Sequence, residues 1–149
     1  MICSPTTKLS ITRSQFVNTN SAEANKALVL GAFDALFNRR DYAKAAEFWS
    51  ANYIQHSAHI GPGREGLFDL VRSLPPTLRY EHRLIVAEGD YVMVHGRYTG
   101  NGGPRALVTI DIVRMENDRL AEHWDVWQEE VTASESKSGL PMFDSEFPA

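Results

Sequence analysis

The sequence predicts an α+β fold, helices first and a curved antiparallel sheet after them, and three observations carry that expectation. Apolar residues recur at helical spacing from about residue 24 to residue 74. Beyond Thr77 the period changes from 3.6 to 2, and turn signals then divide the chain into four strands. With 149 residues there is room for one domain with a real core and too little for two of ordinary size.

The first helix is read from Ala24, Ala27, Leu28, Leu30, Ala32, Phe33, Leu36 and Phe37, with Asn20 or Ser21 as its cap. A break at Asn38-Arg39-Arg40 leads to a second helix over 41–50, capped by Asp41. Residues 53–56, Tyr-Ile-Gln-His, can form a short strand. A loop holding Gly61-Pro62-Gly63 opens a third helix over 64–74, which Pro75-Pro76 stops because proline cannot continue the ladder. Strands are expected over 77–87, 91–99, 106–115 and 120–131. Residues 1–20 read as a loosely ordered arm, 21–131 as the domain, and 132–149 as a polar tail whose Leu140-Pro141-Met142-Phe143 should dock as a lid or a dimer strap.

Composition narrows the function. A content of 43% hydrophobic and 23% charged residues is that of a globular chain. The net charge of -4, with no run of Lys or Arg, argues against nucleic acid. Cys3 is the single cysteine, so no internal disulfide is expected, and no stretch reaches the roughly 18 apolar residues of a membrane span. Residues 1–16 are too polar for a signal peptide, which makes a cytoplasmic protein the expectation. Gly61-Pro62-Gly63-Arg64 lacks the spacing and the Lys-Ser/Thr pair of a phosphate loop and reads as a turn.

The richest segment is Glu122-His123-Trp124-Asp125-Val126-Trp127-Gln128, where polar and apolar residues mix on both alternating sets. Its neighbour carries Asp111 in a β-branched run. A two-residue turn at Asn117-Asp118 would set the two aspartates on opposite faces. A three-residue turn, Glu116-Asn117-Asp118, would set Asp111 opposite His123, with Asp111, His123, Asp125 and Trp127 on one face. The second form demands one positive φ instead of two and is the one expected.

The helices, the segment from Tyr53 to Val71, and the strands ending in Glu-His-Trp-Asp together resemble the SnoaL-like polyketide cyclases of the nuclear-transport-factor-2-like superfamily, over roughly 22–131. The resemblance implies a cone-shaped fold, with three N-terminal helices packed on the concave face of the sheet and a pocket between them. It places the family's acid/base aspartate at Asp125 and a cyclase histidine at Asp111, a change of residue type. It also implies a homodimer through the outer sheet face.

The expected site therefore comprises Asp125 as base, His56 or a protonated Asp111 as proton donor, and His123 as partner to Asp111. Trp127, Gln55, Phe33, Tyr53 and His95 are expected to line the pocket, with Trp124 and Val126 turned outward into a partner subunit. A His56/His59 metal pair is disfavoured for want of a third ligand at diagnostic spacing, so no metal and no cofactor are expected. The favoured function is a cofactor-free acid/base enzyme on a small hydrophobic carbonyl compound, by aldol cyclisation, isomerisation or dehydration. The alternatives are a non-catalytic dimeric module binding a small apolar ligand, and a scaffolding dimer.

Overall fold

In the computed structural model, which describes residues 19–143, three helices precede or interrupt a five-stranded open sheet. The helices are α1 (Thr19–Phe33), α2 (Tyr42–Phe48) and α3 (Gly63–Ser73). The strands are β1 (Trp49–Gln55), β2 (Arg79–Glu88), β3 (Tyr91–Thr99), β4 (Leu107–Glu116) and β5 (Arg119–Glu129), in the order β1-β5-β4-β3-β2. The expected arm lies almost wholly outside the described residues.

Helix α1 buries Val29, Ala32 and Phe33 and continues into a π-helical turn (Asp34–Asn38) that buries Ala35, Leu36 and Phe37. Arg40 ends it at φ 52 and turns its guanidinium onto the carbonyls of Leu74 and Pro75, tying this corner to the end of α3. Asn38 bonds the backbone of Tyr80 in both directions, at 3.1 and 2.8 Å, and so satisfies part of the free edge of β2. Asp41 caps α2 as expected, accepting from the Lys44 amide at 2.9 Å.

Four expectations are corrected. Helix α1 starts at Thr19, ahead of the expected caps. Helix α2 stops at Phe48, and Trp49 already belongs to β1, which buries Trp49 and Tyr53 against the helices. That strand runs parallel to β5, so the sheet is mixed and not purely antiparallel. The β4–β5 turn is the two-residue form, with φ 51 at Asn117 and φ 57 at Asp118. Parity is restored by a bulge: Met115 pairs with Leu120 but Arg114 pairs with Glu122, leaving Ala121 as the extra residue. Asp111 therefore stands opposite Asp125, two places from the expected His123, and the aspartates still share a face.

The core fills the space between the helices and the concave sheet face. Phe33 stacks parallel to Trp49 at 6.4 Å and meets Tyr80 edge-on at 5.2 Å. Gly96, on the concave side of β3, makes this packing possible: a Cβ there would lie 2.6 Å from the Tyr80 ring and 3.0 Å from the Thr109 hydroxyl.

Candidate active site

Between helices and sheet lies a cavity of about 240 Å³. Its helix-side wall is apolar, from Phe33 and Phe37 to Leu67, Leu70, Leu74 and Leu78, while the sheet contributes Thr109, Asp111, His123 and Asp125 and the loop after β1 contributes Ser57 and His59. Alternation on β4 and β5 puts all four on the concave face, paired across the strands as Asp111 with Asp125 and Thr109 with Trp127.

Asp111 is 3% exposed and His123 6%. The His123 Nε2 stands 2.9 Å from Asp111 Oδ1, and the Thr109 hydroxyl donates to Asp111 Oδ2 at 2.8 Å. On the other side of the ring, His123 Nδ1 lies 2.9 Å from Gln55 Oε1, which also accepts the Ser57 amide at 2.9 Å. The parallel register that pairs Gln55 with His123 creates this contact. Each member of the buried pair thus has its hydrogen-bonding groups occupied, as a polar group removed from water requires.

Asp125 differs from its neighbour. It is half-buried, lines the cavity, and makes no hydrogen bond among the described residues. Donors stand ready around it. The Ser57 hydroxyl lines the cavity, buried and without a partner among the described residues. Burial first, and then the negative charge of Asp111, hold the phenols of Tyr53 and Tyr98 well above the usual tyrosine range, so both remain protonated donors. Ligand atoms of Asp111, His123 and Asp125 all lie within 4.8 Å of one another, the one group among the described residues with the donor types of a cation site.

The expected site residues divide by face. Asp111, His123, Asp125, Trp127, Phe33 and Tyr53 line the cavity, and Gln55 stands just behind it, bonded to His123. His56 does not reach the cavity. Tyr53 and Gln55 point inward on β1, so Ile54 and His56 point outward, where His56 bonds Glu122 at 2.8 Å and stacks on Trp124 at 4.8 Å. His95 is also on the outer face, against Phe143 at 5.2 Å, because Val94 and Gly96 are the inward residues of β3. His59, considered in sequence only as a metal partner of His56, packs on Trp127 at 5.2 Å, and both line the cavity. Ser57, Thr109 and Tyr98 were not singled out by sequence; the alternation that selected Asp111 also selects Thr109, two residues earlier on the same strand.

Trp124 and Val126 face outward as expected, amid exposed Ile54, Val86, Tyr91, Met93 and Ile110. The tail folds over the β2–β3 end of this outer face. Phe143 is covered by the guanidinium of Arg83 at 4.8 Å and that of Arg97 at 5.8 Å and is not among the residues that line the cavity. Among the described residues no helix is long and apolar enough to cross a membrane.

A family model for the SnoaL-like domain matches residues 29–123. No curated protein matches the sequence. Among solved structures, a putative ketosteroid isomerase from Kribbella flavida superposes with a TM-score of 0.65 at 19% identity, over 87% of this chain and 93% of that one. AclR, a putative hydroxylase from Streptomyces galilaeus, gives 0.59 at 23% identity, over 72% and 90%. Wild-type IdmH, a putative polyketide cyclase from Streptomyces antibioticus, gives 0.57 at 20%, over 69% and 91%. At these identities the likeness speaks for the fold.

Proposed function

The chain belongs to the SnoaL-like domain family, and from that premise we propose that its cavity is the active site of a cofactor-free acid/base enzyme acting on a small hydrophobic carbonyl compound. The observation that carries this reading is the asymmetry between two facing aspartates. Asp111 is saturated by Thr109 and His123, whereas Asp125 faces the cavity with no hydrogen bond from any described residue. A carboxylate so placed can take a proton from the carbon next to a carbonyl and return it elsewhere on the same molecule. The enolate oxygen formed meanwhile needs a donor, and the unpartnered Ser57 hydroxyl and the Tyr53 and Tyr98 phenols are the donors at hand.

Cavity size and polarity restrict the substrate. A space of about 240 Å³ lies below the roughly 300–1,000 Å³ typical of drug-sized ligands, which favours one or two rings. Its hydrocarbon part would lie against the leucines of α3, with the carbonyl directed to the sheet. Isomerisation, intramolecular aldol closure and dehydration all use this proton traffic.

We also propose that the protein works as a homodimer in the cytoplasm, a second copy covering the outer face around Trp124 and Val126. An exposed apolar patch spread over β1, β2, β3, β4 and β5 supports a self-complementary contact.

Exchange of α-protons into D2O, followed by NMR on one- and two-ring ketones, tests the enzyme reading. Wild type should accelerate exchange and Asp125→Asn should lower the rate about 10²–10⁴-fold. If Trp127 fluorescence reports ketone binding but wild type gives no exchange above buffer, the protein is a binding module.

A further inference from the structure

We infer that Gln55 is a positioning residue: it sets the tautomer of His123 and thereby the charge of the pair that faces Asp125. The direction of each bond follows from a group that can only donate. The Ser57 amide points at one terminal atom of Gln55 from 2.9 Å, so that atom is the carbonyl oxygen. The same oxygen lies 2.9 Å from His123 Nδ1, which must therefore carry a proton. The Gln55 amide nitrogen, on its other side, reaches the Tyr53 hydroxyl at 3.4 Å, which holds the amide in this orientation.

With Nδ1 protonated, the remaining contact has one solution. His123 Nε2 and Asp111 Oδ1 are 2.9 Å apart, too close for two bare lone pairs, so a second proton lies between them. The pair then holds two protons and no net charge, whether written as imidazolium with carboxylate or as imidazole with carboxylic acid. Thr109 donates to the other oxygen of Asp111 in either form. Without the Gln55 acceptor, a ring with a single proton would place it on Nε2, and the pair would carry a full negative charge.

The difference matters because Asp111 is the cross-strand partner of Asp125. Two uncompensated carboxylates side by side in a cavity walled by leucine and phenylalanine repel each other strongly. A neutral pair leaves Asp125 as the single charge of the site, free to act as a base. Gln55 touches no reacting atom in this arrangement and acts entirely through His123.

The role in turnover rests on the acid/base reading; the tautomer does not. The experiment is long-range proton–nitrogen correlation NMR on the full chain with 15N-labelled histidine, for wild type, Gln55→Leu and Gln55→Glu, together with ketone exchange kinetics. Wild type should show His123 Nδ1 protonated. Gln55→Glu retains an acceptor and should keep that proton, whereas Gln55→Leu should move the ring to the Nε2–H form and lower kcat about tenfold or more with KM unchanged. A bare Nδ1 in the wild type overturns the inference without recourse to any variant, and so does an Nδ1 proton that persists in Gln55→Leu. If the NMR pattern is as expected while wild type has no exchange activity, the positioning of His123 stands and the acid/base reading falls.

Discussion

On β4 and β5 the residues Thr109, Asp111, His123 and Asp125 face the cavity, while their immediate neighbours Ile110, Ile112, Trp124 and Val126 face outward. The two faces handle polar groups in opposite ways. On the concave side, charge is removed from water and each of Asp111 and His123 depends on the other. On the convex side Arg97 pairs with Glu81 and Glu130, and Arg114 with Glu116 and Glu122, in ion pairs that surround hydrophobic side chains left in the open. Surface ion pairs of this kind contribute little to stability but fix where an apolar surface can be met. The concave face is thus organised around a cavity, the convex face around an exposed apolar surface.

The largest effect expected from this contrast comes from breaking the concave pair. Asp111→Ala leaves the His123 ring buried opposite nothing and should cost about 3–5 kcal/mol, a large share of the roughly 5–15 kcal/mol of a domain this size. Replacing both, Asp111→Leu with His123→Leu, should recover most of that loss, since no charge is then stranded. Urea unfolding of the two variants checks it; equal destabilisation by single and double changes would mean that the pair is not a unit.

On the convex face the expected effect is smaller and depends on concentration. Trp124 stacks on His56 and is neighboured by Tyr91 at 6.4 Å, a half-buried aromatic of the kind that would anchor the proposed dimer. Trp124→Glu should weaken self-association by about 2 kcal/mol, roughly 30-fold, with the monomer fold intact. Sedimentation equilibrium decides this, and an unchanged mass would remove Trp124 from the interface.

The two faces also differed in how far sequence could place them. Period-2 alternation assigned Trp124 and Val126 outward and Asp111, His123 and Asp125 inward, because alternation is set by the pleat and survives errors in detail. The turn was nonetheless misjudged: Asn117 and Asp118 both accept positive φ, and the Ala121 bulge that restores parity has no glycine to announce it. Two errors cancelled, which is why the face was right and the partner wrong. His56 failed for a different reason. Gln55 and His56 are both expected in the pocket, although adjacent residues of an extended strand must point to opposite sides. The Ser57 hydroxyl has no sequence signature, since its exposure to the cavity depends on the loop between β1 and α3.

The smallest effect concerns the tail, which belongs to the convex face although sequence allowed it to serve as a lid. Phe143 is held between Arg83 and Arg97, and the turn leading to it is clipped by Arg105, whose two terminal nitrogens bond the Glu135 carboxylate at 2.9 and 2.8 Å. The Arg105 contact first, with the Thr132 hydroxyl and amide behind it, lowers the Glu135 carboxyl from 4.5 to about 2. Because the docked state holds its proton less tightly than the free tail, the clip is at full strength above pH 4.5 and is lost as pH falls through about 2. The protection factors of the amides over 132–139, taken relative to free-chain exchange at the same pH, should therefore fall on acidification in that window, ahead of global unfolding. Arg105→Ala should reproduce the lower protection at neutral pH. It should also leave ketone binding unchanged, because the tail lies on the opposite side of the sheet from the cavity. A loss of binding in Arg105→Ala would show instead that the tail reaches the mouth of the cone, and the separation of the two faces would fail at that point.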